Sequence, residues 1–494
     1  MEKHPTGITG FDHITEGGLP TGRSTLIAGS AGCGKTVLAV QFLVAGIEQF
    51  GQPGVLVTFE ETPDDIRANV AAFGWPIDEY ERDGLFTFVD ASPEPTATGT
   101  VIGDFDFNGL LARVGHAVSK TGATRLSIDS LGSMFERYDS GAMARREMLR
   151  IAGRVKQMGV TSLITAERLD EHGRVARFGV EEFVTDNVIV LRNTLTAERR
   201  RRTIEILKMR GAGHRTGEFP FTLIGGDDTV ADRGVVVIPL SVMQLDHDST
   251  TVRISSGSAE LDEMCGGGFY RDSVVLVSGA TGTGKTLMAT EFAAGGAAVG
   301  DRCLLFAFEE SHPQLIRNAS SWGIDIESYE RDGTLQIVSR YPESDSLEDH
   351  LVAIKAAVDS FRPDRIAIDS LSALDRMSNE RGFREFAISL TSFLKERKIA
   401  SLLTTTTPSL LGGDSVTDAH VSTTTDSIIL LRYVEVDGQM RRAITVLKMR
   451  GSKHDRSIRE FSIDDSGMRI GDPFQKFTGI ISGHVGPPND PGSS

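Results

Sequence analysis

The sequence predicts an α/β protein built from two tandem domains of one kind, each a mainly parallel, twisted sheet with helices on its faces. Three observations predict it. The chain has 494 residues, a set of short motifs occurs twice in the same order, and apolar runs of strand length alternate with segments of helical periodicity. A single hydrophobic core seldom grows beyond roughly 250–300 residues, so this length implies at least two cores. With 39% hydrophobic and 24% charged residues the composition is that of a globular chain rather than a disordered one.

The duplication is read first from Gly29-Ser30-Ala31-Gly32-Cys33-Gly34-Lys35-Thr36 and Gly279-Ala280-Thr281-Gly282-Thr283-Gly284-Lys285-Thr286. Each is followed by the same landmarks in the same order. These are Phe59-Glu60-Glu61 and Phe308-Glu309-Glu310, then Ile128-Asp129-Ser130 and Ile368-Asp369-Ser370, then Leu207-Lys208-Met209-Arg210-Gly211 and Leu447-Lys448-Met449-Arg450-Gly451. The expected organisation is a first domain over 1–240, a linker over 241–255, a second domain over 256–482, and a flexible tail over 483–494 that is rich in Pro, Gly and Ser.

Within each copy the elements follow in order. Thr25-Leu26-Ile27-Ala28, Val55-Leu56-Val57-Thr58, Leu126-Ser127-Ile128 and Leu163-Ile164 are short apolar runs, expected as strands buried on both faces. Arg202 to Leu207 and Ala443 to Leu447 are expected as later strands that lead into the Lys-Met-Arg-Gly turn. The run Arg199-Arg200-Arg201-Arg202 is the best support for a nucleic-acid-binding reading, but is expected as a solvated turn.

The paired Gly-x-x-x-x-Gly-Lys-Thr loops, each between a strand and a helix, carry the chemistry. Glycines let backbone N–H groups converge on phosphate, and the helix start adds positive potential. Gly32, Cys33, Gly34 and Lys35, with Thr281, Gly282, Thr283, Gly284 and Lys285, are therefore candidate ATP ligands, and Thr36 and Thr286 candidate magnesium ligands. The fold class this predicts is two tandem P-loop NTPase domains. Asp129 and Asp369 end apolar strands, where a carboxylate can hold magnesium-bound water. Glu60, Glu61, Glu309 and Glu310 close the preceding strand and are candidates for the base that orients water or a hydroxyl, with exposed helix-capping carboxylates as the competing reading. Lys208 with Arg210, and Lys448 with Arg450, are spaced to point to one side of an extended segment. They could reach the γ-phosphate of a neighbouring subunit as arginine fingers do.

The copies differ at one place that matters. Aligning residues 183–187 with 423–427 sets Ser422 and Thr423 opposite Glu182 and Phe183, so hydroxyls stand in the second copy where the first has none, with Thr417 upstream. By composition alone such a Ser/Thr-rich stretch is an ordinary turn.

Over nearly its full length the chain resembles the KaiC family of circadian clock proteins. The resemblance is carried by Leu261-Asp262-Glu263-Met264-Cys265-Gly266-Gly267-Gly268-Phe269, Tyr341-Pro342-Glu343-Ser344 and Ile366-Ala367-Ile368-Asp369-Ser370-Leu371-Ser372-Ala373-Leu374, besides the second phosphate loop. It implies RecA-like domains, a homohexameric double ring with ATP and Mg2+ between neighbouring subunits, hydrolysis in the first ring, and serine/threonine autokinase and autophosphatase activity in the second. It also implies phosphate acceptors at Ser422 and Thr423, an auxiliary Thr417, and Glu309 as kinase base and metal neighbour. Glu60 and Glu61 become the hydrolytic pair. Val37, Leu287, Met209, His214, Trp322, Arg442, Met449, Ser452 and His454 join the nucleotide ligands.

The segment from Ala91 to Asp106 resembles the family's KaiB-docking region. The piece at 479–483 resembles the start of its C-terminal regulatory loop, but the short remainder has one acidic residue, Asp490, which argues against a KaiA-like activator. Cys33 stands where the family commonly has Thr, placing an oxidisable thiol in the first loop. Two other classes fit the same fold: a DNA-binding recombinase or helicase, and a signalling scaffold that assembles on ATP with little chemistry. The net charge of −16 speaks against nucleic acid as a partner. Cys33, Cys265 and Cys303 lack metal-ligand spacing, and no apolar run is long enough to span a membrane. The start Met1-Glu2-Lys3-His4-Pro5 lacks a signal-peptide pattern, so a cytoplasmic location is expected.

Overall fold

The structure is a computed structural model that describes residues 1–92, 107–130, 141–169, 173, 175, 184–196, 199–226, 232–239, 249–407, 424–436 and 438–474. The chain divides into two compact units, Met1–Pro239 and Leu240–Ser494. In the first, the elements that carry the site are β1 (Ser24–Gly29), α1 (Lys35–Phe50), β2 (Gly54–Thr58), α2 (Pro63–Val70), β3 (Phe86–Asp90), α3 (Phe107–Thr121), β4 (Arg125–Asp129), α4 (Gly141–Gln157), β5 (Thr161–Glu167), β6 (Asn187–Thr196), β7 (Arg199–Met209), β8 (Glu218–Ile224) and β9 (Gly234–Val237). They form one nine-stranded sheet in the order β3-β2-β4-β5-β1-β6-β7-β8-β9.

The second unit repeats this with β10 (Val274–Gly279), α5 (Lys285–Ala297), β11 (Cys303–Ala307), α6 (His312–Ser321), β12 (Leu335–Ser339), α7 (Leu347–Phe361), β13 (Arg365–Asp369), α8 (Glu380–Glu396), β14 (Ala400–Thr406), β15 (Ser427–Val436), β16 (Gln439–Met449), β17 (Arg459–Asp464) and β18 (Gly467–Pro473). Its sheet runs β12-β11-β13-β14-β10-β15-β16-β17-β18, the same topology. These are tandem RecA-like domains.

In each sheet the strand before the phosphate loop is central and parallel to both neighbours. Leu26 stands opposite Ile164 and Val188, and Leu276 opposite Leu403 and Ile428. Helices cover both faces there, so every residue of β1 and β10 is buried, as their unbroken apolar runs require. Beyond β6 and β15 the sheets turn antiparallel. The phosphate loops leave the carboxyl ends of β1 and β10, where open α/β sheets place their ligands.

Helix starts follow local chemistry. Thr62 and Asp65 close a capping box on α2 with Pro63 in its first turn, and Ser346 with Asp349 does the same for α7. A buried arginine opens the strand that ends in each candidate magnesium ligand, Asp129 or Asp369. Arg125 donates to the carbonyls of Pro5, Thr6 and Phe42 and to Gln52 Oε1, and burial lowers its pKa to about 10. Arg365 pairs with Asp301 at 2.8 Å and donates to Ser255 O. Each arginine thereby ties the unit's incoming chain to its sheet. Arg253–Ile254 pairs with Phe269–Tyr270, so second-unit structure reaches back into the span expected as linker.

The basic run Arg199-Arg200-Arg201-Arg202 is not a turn. It lies in β7, with Arg200 donating to Asn193 O on β6. Pairing with β6 satisfies this backbone, which overrides the preference of four charged residues for a solvated loop. Among the described residues no helix is long and apolar enough to cross a membrane.

Candidate functional site

The loop glycines shape each phosphate loop. Gly32 and Gly34 have φ of 72° and 97°, and Gly282 and Gly284 have 80° and 107°, left-handed angles that side chains disfavour. Runs of this kind form concavities lined by N–H groups, and α1 and α5 start at once behind them with Lys35 and Lys285. Lys35 Nζ donates to Gly29 O at 3.0 Å and Ser30 O at 2.9 Å, and Lys285 Nζ to Ala280 O at 2.9 Å. Both ammonium groups thus sit over their loops. Burial lowers the Lys285 pKa, opposed by Asp369 and Glu309 nearby.

A Cβ on Gly29 would come within 2.4 Å of Cys33 Sγ, and one on Gly279 within 2.8 Å of Thr283 Oγ1, so strand end and loop pack without spare room. Cys33 is fully buried. Its thiol packs in the core, where burial shields it from oxidants.

Behind each loop stands a hydroxyl–carboxylate pair. Thr286 Oγ1 donates to Asp369 Oδ2 at 2.7 Å, and Thr404 binds the other Asp369 oxygen. In the first unit Thr36 and Thr165 bond Asp129 in the same way. Burial raises the pKa of both aspartates, partly offset by these hydrogen bonds. A buried carboxylate beside a threonine hydroxyl suits magnesium held through oxygen and water. Among the described residues no group of three or more His, Cys, Asp or Glu side chains could hold a metal alone. A magnesium ion here would complete its shell with nucleotide phosphates and water.

The acidic pairs separate into two roles. Glu60 accepts from Ser130 Oγ at 2.8 Å, and Glu309 pairs with Arg376 at 3.1 Å. Glu60 lies near Asp129, and Glu309 near both Asp369 and Lys285, as their charge interactions require. Glu61 and Glu310 are turned to the following helix instead, accepting from Asn69 at 3.1 Å and Asn318 at 2.9 Å. Burial raises the Glu310 pKa. The first acid of each pair thus meets Ser130 or Arg376 and the second an asparagine of the following helix, while Glu310 also feels the charge of Asp369.

Lys208 and Lys448 each donate to a carbonyl two residues before β6 and β15, Thr185 O at 2.8 Å and Thr425 O at 2.7 Å. Arg450 is 3.8 Å from Asp426. Met209 and Met449 are buried, so their side chains belong to the core and only their backbone is open to a nucleotide. Arg442 lies over the Tyr433 ring at 5.7 Å, and Tyr433 donates to Gly282 O of the phosphate loop at 2.6 Å, which joins Arg442 to the second site. Trp322 ends α6 and packs against the core that contains Leu287. His214 and Ser452 lie on the turns after β7 and β16, where Nδ1 of His214 meets Arg215 O and Ser452 accepts from Arg253. His454 lies on the second of these turns. Val37 and Leu287 occupy the first turns of α1 and α5.

Ser422, Thr423 and Thr417 lie outside the described residues, as do 93–106 of the KaiB-like segment and the tail. Sequence reasoning missed Ser130, Arg376, Asn69, Asn318 and Tyr433. It also missed Leu207 and Leu447, which are 43% and 38% exposed although apolar and precede the two lysines. Collinearity was the signal that could have found the last pair, since both copies place Leu before Lys-Met-Arg-Gly.

Comparison with known proteins agrees with the duplicated fold. A family model described as "ATPase: KaiC" matches residues 4–240 and again 254–474. The circadian clock protein KaiC3 of Synechocystis sp. is 57% identical over 98% of this chain and 94% of its own length. The circadian clock oscillator proteins KaiC of Thermosynechococcus vestitus and Synechococcus elongatus are 53% and 52% identical, each over 98% of this chain and 92% of their own length.

Proposed function

The chain belongs to the KaiC family of circadian clock proteins, with tandem ATPase domains that bind ATP, and from that premise we propose that its two units perform different reactions. The first hydrolyses ATP. The second transfers the γ-phosphoryl group to Ser422 or Thr423 and later releases it as an autophosphatase. The protein works as a homohexameric double ring in the cytoplasm, in timing-related signalling, with a KaiB-like partner on the first domain and no KaiA-like activator.

One observation carries this reading: the same loop–hydroxyl–carboxylate set recurs, but the first acid is held by Ser130 in one unit and by Arg376 in the other. Acceptor hydroxyls occur in the corresponding segment of the second copy alone. In the first unit Glu60 orients water for attack on the γ-phosphorus. In the second, the Ser422 or Thr423 hydroxyl oxygen attacks, its proton passes to the Glu309 carboxylate, and the bond to the β–γ bridging oxygen breaks with the electron pair leaving on ADP. Mg2+ bound beside Thr36 and Asp129, or Thr286 and Asp369, would neutralise phosphate charge. Holding a hydroxyl in attack geometry is worth effective molarities up to ~10⁵–10⁸ M, enough for placement to select it over water.

The Leu207 and Leu447 exposures beside Lys208/Arg210 and Lys448/Arg450 support a subunit boundary at these strands. Phosphopeptide mapping after incubation with ATP and magnesium tests the proposal. Phosphate is expected at Ser422 or Thr423 in the wild type and is lost in Lys285→Ala and Glu309→Gln. A wild type that turns over ATP yet stays unmodified at 417, 422 and 423 would favour an ATP-assembled scaffold instead.

A further inference from the structure

Asp426 and its counterpart Asp186 make the same backbone contacts but take different cations. In each unit the aspartate precedes the strand beside the phosphate-loop strand, and its N–H donates to that strand, to Val274 O and Ser24 O respectively. Asp186 pairs with Arg23 at 2.9 Å, from the entry of β1. The second unit has Ser273 at that place, and Asp426 pairs instead with Lys395 in the last turn of α8, at 2.9 Å. Lys156, the α4 residue that corresponds to Lys395, is exposed.

Lys395 does more than replace Arg23. Its Nζ also donates to Thr424 O at 3.1 Å, the carbonyl that directly follows Thr423 in the chain. The neighbouring carbonyl, Thr425 O, is held by Lys448. Asp426 Oδ2 accepts Val274 N–H at 2.9 Å, and Arg450 stands 3.8 Å from Oδ1. Burial and Arg450 lower the Lys448 pKa, Asp426 opposes them, and Lys395 adds the smallest lowering effect. The Lys395 and Asp426 side chains are only 15% and 20% exposed, so the contact is partly shielded from solvent.

We propose that Lys395 is a positioning residue for phosphoryl transfer in the second unit: it fixes the chain end adjoining the acceptor residues and sets the carboxylate beside Arg450. This rests on the reading of Ser422 and Thr423 as acceptors. Hydrolysis by the first unit, where Arg23 takes the corresponding role, does not depend on it. A lysine reaching from a helix can bond a carbonyl and a carboxylate together, whereas a cation at position 273 would serve the carboxylate alone.

The experiment compares the full-length wild type, Lys395→Met, Lys395→Arg and the double variant Lys395→Met/Ser273→Arg, each with ATP and magnesium. Phosphate at residues 422 and 423 is mapped, and amide exchange is followed over 424–427. Lys395→Met is expected to lose phosphate incorporation at least tenfold, with faster exchange at 424–427, and Lys395→Arg to recover part of it. The double variant restores a cation to Asp426 and with it thermal stability, but phosphate incorporation stays low because the Lys395 ammonium bond to Thr424 O is not restored. Wild-type incorporation in Lys395→Met, or full recovery in the double variant, would overturn the proposal. A wild type that takes up no phosphate refutes the acceptor reading itself, and unchanged exchange at 424–427 in Lys395→Met then refutes the brace independently.

Discussion

Arg376 places Nη2 3.1 Å from Glu309 Oε1, while the corresponding Glu60 accepts a hydrogen bond from neutral Ser130 at 2.8 Å. One charged partner and one neutral partner thus orient the same acid in the two units. Arg376 is 60% exposed and Glu309 39%, so the pair is an orienting contact more than a large source of stability. Exposed ion pairs contribute roughly 0.2–1 kcal/mol, and Arg376→Gln should therefore slow phosphate incorporation by about two- to fivefold. Time courses of phosphopeptide formation measure this, and an unchanged rate would remove Arg376 from the mechanism.

Glu60→Gln and Glu309→Gln should separate the two reactions. A positioned base is worth ~10²–10⁴-fold, so Glu60→Gln is expected to abolish most ADP release while phosphate still reaches the second unit's acceptors. Glu309→Gln should do the reverse. Glu61→Gln and Glu310→Gln, whose carboxylates are tied to Asn69 and Asn318, should act more weakly. Equal losses across all four variants would contradict the division of roles.

Glu291 on α5 gives a pH dependence whose sign is fixed. Its Oε1 accepts the Met468 N–H at 2.7 Å at the β17–β18 turn, with Glu260 and Arg469 as neighbouring charges, and burial raises its pKa from 4.5 to about 7. The folded state therefore binds this proton more tightly than the unfolded chain. Its contribution is full below pH ~4.5, falls as pH rises, and is gone above about pH 7. In the first unit Gln41 fills the corresponding position and accepts the Val235 N–H at 2.6 Å with a neutral amide. Glu291→Gln should raise the stability of the second unit at pH 8, on the order of 1–3 kcal/mol, and change little at pH 4.5. Thermal unfolding at both pH values is the measurement; equal shifts at both would sink the assignment.

What the sequence disclosed was whatever lies contiguous in the chain. The loop at Gly29 to Thr36, the strand ending at Asp129 and the Lys-Met-Arg-Gly turn are each local, and their repetition made the fold class readable. Ser130 with Glu60, Arg376 with Glu309 and Lys395 with Thr424 were not readable, because their partners are 70, 67 and 29 residues apart and meet through sheet packing. Composition misled at Arg199-Arg200-Arg201-Arg202, where pairing with β6 overrides charge. It also could not show that Cys33 turns inward, since that depends on the tight approach of Gly29 to the loop.

Arg450 offers the last test, of nucleotide sites shared between subunits. Its side chain is 54% exposed and stands in the turn that directly follows the strand carrying exposed Leu447, while Lys285 is buried over its own loop. If Arg450 serves a neighbour, the two residues of one working site come from different chains. Lys285→Ala and Arg450→Ala should each be inactive in the second unit when assembled alone. Assembled together in equal amounts, on the order of a quarter of the boundaries would join an intact Lys285 to an intact Arg450. Phosphate incorporation should then reappear at a comparable fraction of wild type. A mixture no more active than its components, despite verified co-assembly by native mass measurement, would place Arg450 in its own subunit's site or outside the chemistry altogether.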